Sequence, residues 1–183
     1  ILFTSGSTGL PQPHAKTWGA LVQNGHAEAA ALGLGGLHPV LVGTVPVQHS
    51  YGFESTFLLA LHGFCSFGSG KPLYPQDVMD ALRAVPRPRV LVTTPFHLTT
   101  LLGSGLDWPA LDMCLSATAP LSADLAAQVE QRSFAPVHEI YGSTESSQLA
   151  SRRTTEGALW HLLPGVKLTQ IQGTTYALGG HVQ

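Results

Sequence analysis

The chain has 183 residues, of which 44% are hydrophobic and 11% are charged, and its net charge is −2. This length suits one domain with a substantial core, and the charged share is well under the roughly 25% of average soluble domains, so we expect part of the surface to be covered. The composition argues against a nucleic-acid partner, because it offers no basic stripe, and no apolar run reaches the roughly 18 residues of a membrane span.

Apolar runs alternate with helical patterns along the chain. This is typical of βαβ units and predicts an α/β fold, with a largely parallel sheet flanked by helices. In chain order, the predicted strands are 1–4, 40–45, 89–94, 112–116 and 136–141, and the predicted helices are 17–34, 53–61, 75–84, 96–102 and 123–132. Ser122 is expected to cap the last of these helices. Two short strands, 158–160 and 166–171, follow and should be antiparallel.

Two further features of the sequence concern the location of the protein in the cell and the start of the chain. The cysteines Cys65 and Cys114 have no CxxC spacing, so neither a disulfide framework nor a zinc knuckle is indicated. With no recognisable signal peptide, this predicts a cytoplasmic protein. The chain begins at Ile1, inside a predicted strand, and we therefore expect a fragment or domain of a longer protein.

Small, hydroxyl-bearing and flexible residues follow the first predicted strand directly. They are Thr4, Ser5, Gly6, Ser7, Thr8 and Gly9. Glycines let the backbone turn tightly and point successive N–H groups at one anion, while the hydroxyls add donors. The segment predicts a phosphate-binding loop. The alternative is an ordinary solvent-exposed turn, because Ser, Thr and Gly are common in turns.

Three other segments also fall at predicted strand ends. They read VPVQHSYG at 45–52, SATAPL at 116–121 and IYGSTE at 140–145. Open parallel sheets place their ligand sites at the carboxyl ends of the strands. We therefore expect the phosphate loop and these three segments to line one crevice.

The four segments, in this order, resemble the motifs of the adenylate-forming superfamily, which includes acyl-CoA synthetases, aryl-acid ligases, luciferases and adenylation domains of peptide synthetases. FTSGSTGLPQ is similar to [YF]TSG[ST]TGxPK, and YGSTE is similar to YGxTE. The middle segments resemble PxxHxYG and GGAPL. The resemblance implies that residues 1–183 are a partial AMP-binding domain, part of the large N-terminal domain of such an enzyme, without the small C-terminal domain.

The resemblance also implies a role for individual residues. The Thr4-to-Gly9 loop would hold the β- and γ-phosphates of ATP. The rest of the nucleotide site would be Ala117, Thr118, Ala119, Tyr141, Gly142, Ser143 and Thr144. The catalytic residues would be His49, Thr144 and Glu145, and Glu145 would also hold Mg²⁺. The acid pocket would be lined by Phe53, Phe57, Ala117 and Ile140.

Plainer interpretations stay open for several of these residues. Glu145 is alternatively a solvated surface acid, His49 a structural histidine, and the pocket side chains ordinary core. Gln12 stands where the family usually has lysine, and whether Lys16 compensates is open. A Walker loop at 68–71 is rejected because its first glycine and final Ser/Thr are absent, and a G-x-S-x-G nucleophile elbow is lacking.

The implied function is ATP-dependent activation of a carboxylic acid as an acyl-adenylate. Transfer to the thiol of CoA or of a carrier-protein phosphopantetheine would follow. The apolar pocket residues favour an aryl or fatty acid, and the isolated chain is expected to be inactive or nearly so. The alternative is a catalytically incomplete nucleotide-binding or interaction fragment.

Overall fold

A computed structural model of the chain describes residues 1–3 and 12–183. Its main sheet has seven strands in the order β4-β3-β5-β6-β7-β8-β9. These strands are β3 Val40–Gly43, β4 Ser66–Phe67, β5 Arg89–Thr93, β6 Met113–Ser116, β7 Val137–Ser143, β8 Ser147–Arg153 and β9 His161–Leu162. Strands β3 to β7 are parallel, and β8 and β9 continue the sheet antiparallel. The predicted α/β fold with a largely parallel sheet is confirmed.

Two small antiparallel ladders accompany the main sheet. β1 Leu2–Phe3 pairs with β2 Pro13–His14, and β10 Lys167–Ile171 pairs with β11 Thr174–Leu178. The second pair confirms the prediction of an antiparallel strand at 166–171. Its residues are mostly exposed.

Helices cover both faces of the main sheet. They are α1 Trp18–Ala31, α2 Ser50–Gly52, a π-helix Phe53–Leu58, α3 Leu59–His62, α4 Pro75–Ala84, α5 Pro95–Gly103 and α6 Ala123–Ser133. The Ser122 cap is confirmed, since its hydroxyl accepts from the Leu125 amide at 3.2 Å. Within the described ranges, no helix has both the length and the apolar character needed to cross a membrane.

The side chains of the central strands alternate between two cores, as the period of two in a strand requires. Leu91 and Cys114 pack on one face with α4, α5 and α6. Val90 and Leu115 pack on the other face with α1 and α3. Because both faces of these strands are covered, they are continuously apolar, and this made them easy to predict.

Two differences from the predicted elements have clear causes. The strand predicted at 158–160 is wrong, because the residues that pair with Ala150 and Ser151 of β8 are Leu162 and His161, and the strand forms at His161–Leu162. The helix predicted at 53–61 begins earlier, because Ser50–Gly52 already form a helical turn. Residues 50–62 therefore form one continuous helical segment, called the 50–62 helix below.

Candidate functional site

A cavity of about 170 Å³ opens at the carboxyl ends of β6 and β7. Three parts of the chain line it, and together they contribute His49, Ser50, Tyr51, Glu54, Ala117, Thr118, Ile140, Gly142, Ser143, Thr144, Ser147 and Gln148. All three motifs that fall within the described residues therefore meet at one place. The cavity is below the roughly 300–1,000 Å³ of typical ligand clefts, so it suits one group of a larger ligand.

His49 begins the 50–62 helix. Its Nδ1 accepts a hydrogen bond from the Tyr51 amide at 3.2 Å, and its backbone is extended, as expected at an N-cap. Because Nδ1 is the acceptor, the neutral ring carries its proton on Nε2. His49 thus caps a helix and also lines the cavity, so a structural role and a role in the site are compatible.

The turn after β6 supplies another wall. Ala117 is buried, while Thr118 and Ala119 are exposed and Ala119 lies outside the cavity lining. Thr118 has a φ of 78°, in the left-handed region that residues with a Cβ rarely adopt. Such a conformation costs on the order of 1–3 kcal/mol and is concentrated at functional sites.

A buried carboxylate holds this turn against the neighbouring hairpin. Glu139 Oε1 accepts from the Leu121 amide at 2.8 Å, and Glu139 Oε2 lies 2.7 Å from Arg152 Nη2. Thr154 also donates to Oε2, at 3.2 Å. The Glu139 side chain therefore fixes the 117–121 turn relative to β7 and β8, although it does not line the cavity itself.

The YGSTE motif forms the tip of the β7–β8 hairpin. At Gly142 a Cβ would lie 2.3 Å from the carbonyl oxygen of Ser147, so only glycine permits this approach. Tyr141 is exposed and outside the cavity lining, and its ring centroid lies 5.5 Å from that of Trp160. The hydroxyl of Thr144 lies 3.2 Å from that of Ser50, which connects the hairpin to the 50–62 helix.

Glu145 lies at the edge of the site, with its side chain 55% exposed. A hydrogen bond from Ser143 lowers the pKa of its carboxyl, and the nearby His14 and Lys16 act in the same direction. An ionised carboxylate beside hydroxyl groups is a donor set that suits Mg²⁺, which is usually held by one or two carboxylates and substrate phosphates. Within the described part of the chain, no group of three His, Cys, Asp or Glu side chains could hold a metal by itself.

Lys16 brings a cation to the same edge. Its Nζ donates a short hydrogen bond to the main-chain carbonyl of Glu145. Partial burial lowers the pKa of Lys16, while the carboxylates of Glu54 and Glu145 oppose the change. The Lys16 side chain therefore reaches the tip of the β7–β8 hairpin.

The structure does not bring the predicted pocket residues Phe53 and Phe57 to this cavity. Their rings stack on each other with centroids 5.6 Å apart, and the ring of Phe57 meets that of Phe67 in β4 at 6.1 Å. From the same helical segment, Ser50, Tyr51 and Glu54 line the cavity instead. The predicted phosphate-loop residues Thr4, Ser5, Gly6, Ser7, Thr8 and Gly9 lie outside the described residues.

A buried polar network beside the cavity was missed from the sequence. The Ser55 hydroxyl donates to Glu28 Oε1 at 2.6 Å and accepts from Gln148 Nε2 at 2.6 Å. Burial raises the pKa of Glu28 to about 7 and that of the adjacent Glu54 to about 8. No local pattern indicates this network, because Glu28, Ser55 and Gln148 come from three different elements.

Comparison with known proteins identifies the family. The family model described as AMP-binding enzyme matches residues 1–172. The chain belongs to the AMP-binding enzyme family. This confirms the resemblance to the adenylate-forming superfamily that the motifs indicate.

Curated relatives of this AMP-binding chain are CoA ligases. A 4-coumarate–CoA ligase of Halorhodospira halophila is 35% identical over 150 residues, which cover 81% of this chain and 36% of the relative. A 4-coumarate–CoA ligase of Rhodobacter capsulatus is 30% identical, with 90% of this chain and 42% of the relative covered. A 4-chlorobenzoate–CoA ligase of an Arthrobacter species is 29% identical, over 80% of this chain and 29% of the relative.

The fold of the AMP-binding chain also matches solved structures. ATP-bound MatB from Rhodopseudomonas palustris has a TM-score of 0.82 at 24% identity, covering 100% of this chain and 39% of that one. At this identity the likeness shows the fold alone. The chain spans less than half the length of each of these proteins.

Proposed function

We propose that this AMP-binding chain supplies the nucleotide- and acid-binding part of an ATP-dependent ligase that joins a carboxylic acid to a thiol. The observation that carries the proposal is the meeting of His49, Thr118 and the Thr144-bearing hairpin around one cavity. The names of the coumarate and chlorobenzoate ligases among its relatives support an aryl acid as the substrate.

The proposed reaction has two steps. A carboxylate oxygen of the acid bonds to the α-phosphorus of ATP, and the bond from that phosphorus to the bridging oxygen of the β-phosphate breaks, which releases pyrophosphate. The sulfur of a thiol then bonds to the acyl carbon, AMP leaves with the carboxyl oxygen, and the thiol proton passes to solvent. The thiol would belong to CoA, as the relatives' names support, or to a carrier-protein phosphopantetheine.

The residues around the cavity are suited to positioning and charge stabilisation, which dominate catalysis at phosphorus. The loop at 4–9 would hold the β- and γ-phosphates, and Tyr141 would stack on the adenine beside the 117–119 turn. Ser143 and Thr144 would donate hydroxyl hydrogen bonds to the nucleotide. His49 would donate from Nε2 towards the reacting oxygens.

Glu145 is the residue proposed to hold Mg²⁺. The ion would neutralise charge on the leaving phosphates when bound. The ionised state of the Glu145 carboxyl and its position at the edge of the site support this role.

Lys16 is proposed to supply the positive charge that Gln12 lacks. The contact of Lys16 Nζ with the Glu145 carbonyl supports a position at the nucleotide edge of the site. The second candidate, a nucleotide-binding chain without catalysis, is favoured by Gln12. The variants Lys16→Met and Lys16→Met/Gln12→Lys test whether Lys16 supplies this charge, because a lysine at position 12 should recover the exchange activity that the first variant loses.

The proposal is tested by acid-dependent pyrophosphate exchange into ATP. The assay should use the longest natural protein that contains this chain, with a panel of aryl and fatty acids. Exchange that requires one class of acid supports the ligase. Binding of Mg·ATP without exchange for any acid would leave the second candidate as the better description.

A further inference from the structure

We propose that Trp160 is a positioning residue for the nucleotide, which holds the ring of Tyr141 in the orientation in which it stacks on adenine. The inference rests on the proposed function, because it concerns the residue that would carry the adenine. Trp160 lies outside the four motifs of the sequence and outside the cavity lining. Its role therefore follows from its contacts alone.

The register of the sheet places Trp160 on the same face as Tyr141. In the β7–β8 hairpin, Tyr141 pairs with Ala150, and Ala150 pairs in turn with Leu162 of β9. Trp160 precedes Leu162 by two residues, and side chains two apart along an extended chain point to the same face. Because Ala150 carries only a methyl group, the two rings can meet across β8.

The rings of Tyr141 and Trp160 are in contact. Their centroids lie 5.5 Å apart and their planes are tilted by 50°, within the separation of about 4.5–7 Å at which aromatic pairs interact. Tyr141 is 57% exposed, so much of its surface stays open to a ligand. An exposed ring without such a neighbour would sample several rotamers and lose that freedom on binding. Trp160 therefore reduces the entropy that Tyr141 loses when it stacks on adenine.

Arg152 holds Trp160 in place. Its guanidinium carbon lies 4.3 Å from the centroid of the Trp160 ring, which is a cation–π contact. The same guanidinium donates from Nε to Glu139 Oε2 at 2.8 Å and from Nη1 to the Ala158 carbonyl at 3.3 Å. A guanidinium fixed at both of these points gives the indole a defined surface to pack on.

Glu139 connects these side chains to the turn after β6, the other wall of the proposed adenine site. Its Oε1 accepts from the Leu121 amide at 2.8 Å. A continuous series of contacts thus runs from that turn through Glu139 and Arg152 to Trp160, and from there to the ring of Tyr141. The two walls between which adenine would lie are fixed relative to each other by this series.

The test measures pyrophosphate exchange in the longest natural protein that contains this chain, with a saturating acid and varied Mg·ATP. Trp160→Ala should raise KM for ATP by about 3- to 10-fold, the size expected for the loss of one aromatic contact. It should leave kcat unchanged, because adenine is stacked alike in the ground state and the transition state. Trp160→Phe keeps an aromatic face and should recover most of the affinity.

Two further measurements separate positioning from a general structural loss. Trp160→Ala should weaken inhibition by AMP as much as it raises KM for ATP, and leave inhibition by tripolyphosphate, which has no adenine, unchanged. In a Tyr141→Ala protein, Trp160→Ala should not raise KM further, because Trp160 acts through that ring. Leu159→Ala, at the neighbouring position that is 80% exposed, is the matched control and should keep every parameter.

The outcomes separate this proposal from the proposed function. If exchange occurs and Trp160→Ala leaves KM for ATP unchanged, raises it equally in the Tyr141→Ala protein, or weakens tripolyphosphate and AMP alike, the positioning role is wrong and the ligase stands. If no acid supports exchange, the ligase is wrong, and calorimetry with Mg·ATP then decides the positioning role. Weaker binding by Trp160→Ala supports that role, and absent or equal binding overturns it. Should Trp160→Ala not fold, Trp160→Leu takes its place, and an unchanged KM for ATP overturns the proposal.

Discussion

Replacing Glu28 by glutamine should change how the stability of the protein depends on pH. Glu28 is fully buried, and burial raises the pKa of its carboxyl from 4.5 to about 7, against the opposing hydrogen bonds from Ser55 and Gln148. The unfolded chain releases this proton near pH 4.5, while the folded protein keeps it until about pH 7. Between these values the folded state binds more protons, so the free energy of unfolding falls as pH rises.

The size of the effect follows from the shift. At about 1.4 kcal/mol for each pKa unit, a rise from 4.5 to about 7 corresponds to about 3 kcal/mol. Glu28→Gln keeps the oxygen that accepts from Ser55 and cannot ionise. We expect the variant to be close to the parent protein at pH 4.5 and to gain about 3 kcal/mol relative to it by pH 8.

The assay is chemical denaturation at half-unit steps from pH 4.5 to 8.5. Far-UV circular dichroism and tryptophan fluorescence should be followed together, and only coincident transitions converted to free energies. Glu156→Gln, which removes an exposed carboxylate, controls for the loss of one negative charge. Parallel pH profiles for the parent protein and Glu28→Gln would refute the reasoning, because they would mean that Glu28 titrates alike in both states.

Three further substitutions test the surroundings of the cavity. Ser55→Ala removes the middle of the buried network and should lower the free energy of unfolding by about 1–3 kcal/mol in denaturation experiments; unchanged stability would count against the network. Arg152→Met removes the cation beside the buried Glu139 carboxylate, so we expect the free energy of unfolding to fall by about 3–5 kcal/mol. The double variant Arg152→Met/Glu139→Gln should recover part of that loss. A double variant no more stable than Arg152→Met would contradict the prediction. Gly142→Ala places a Cβ against the Ser147 carbonyl, so it should lower the free energy of unfolding by about 1–3 kcal/mol and slow pyrophosphate exchange. Unchanged stability and exchange would show that the hairpin accommodates the Cβ.

The central part of the fold could be predicted because each of its elements has a strong local signal. Strands such as Arg89–Thr93 are apolar on both faces, and helix starts carry a capping hydroxyl, as at Ser122. Strand β8 was not predicted, because its residues 147–151 are all buried although most are polar or small. Its burial depends on partners from α1 and the 50–62 helix, which a local pattern does not reveal.

The residues of the site also include some that could be predicted from the sequence and some that could not. His49, Ala117 and Thr118 follow predicted apolar strands and Ile140 lies near the end of another, so their meeting at one edge of the sheet could be expected from the sequence alone. That Glu54 and Gln148 line the cavity could not be predicted, since this depends on which side of a helix and of strand β8 faces the cavity. Phe53 and Phe57 were assigned to the pocket by the resemblance, and in the structure their rings stack on each other outside the cavity lining.

The π-helix makes the arrangement of the 50–62 helix depend on the number of its residues as well as on their identity. The Leu59 amide donates to the carbonyl of Glu54, five residues back, which is one residue more than an α-helical turn spans. Deleting one residue between 53 and 58 would rotate the helical residues after the deletion by roughly 100° relative to those before it. On the α3 side this would separate His62 from α1, where a Cβ on Gly25 would already lie 3.0 Å from the His62 Cβ. A homologue that is one residue shorter here would therefore present another side chain to the cavity at the position of Glu54.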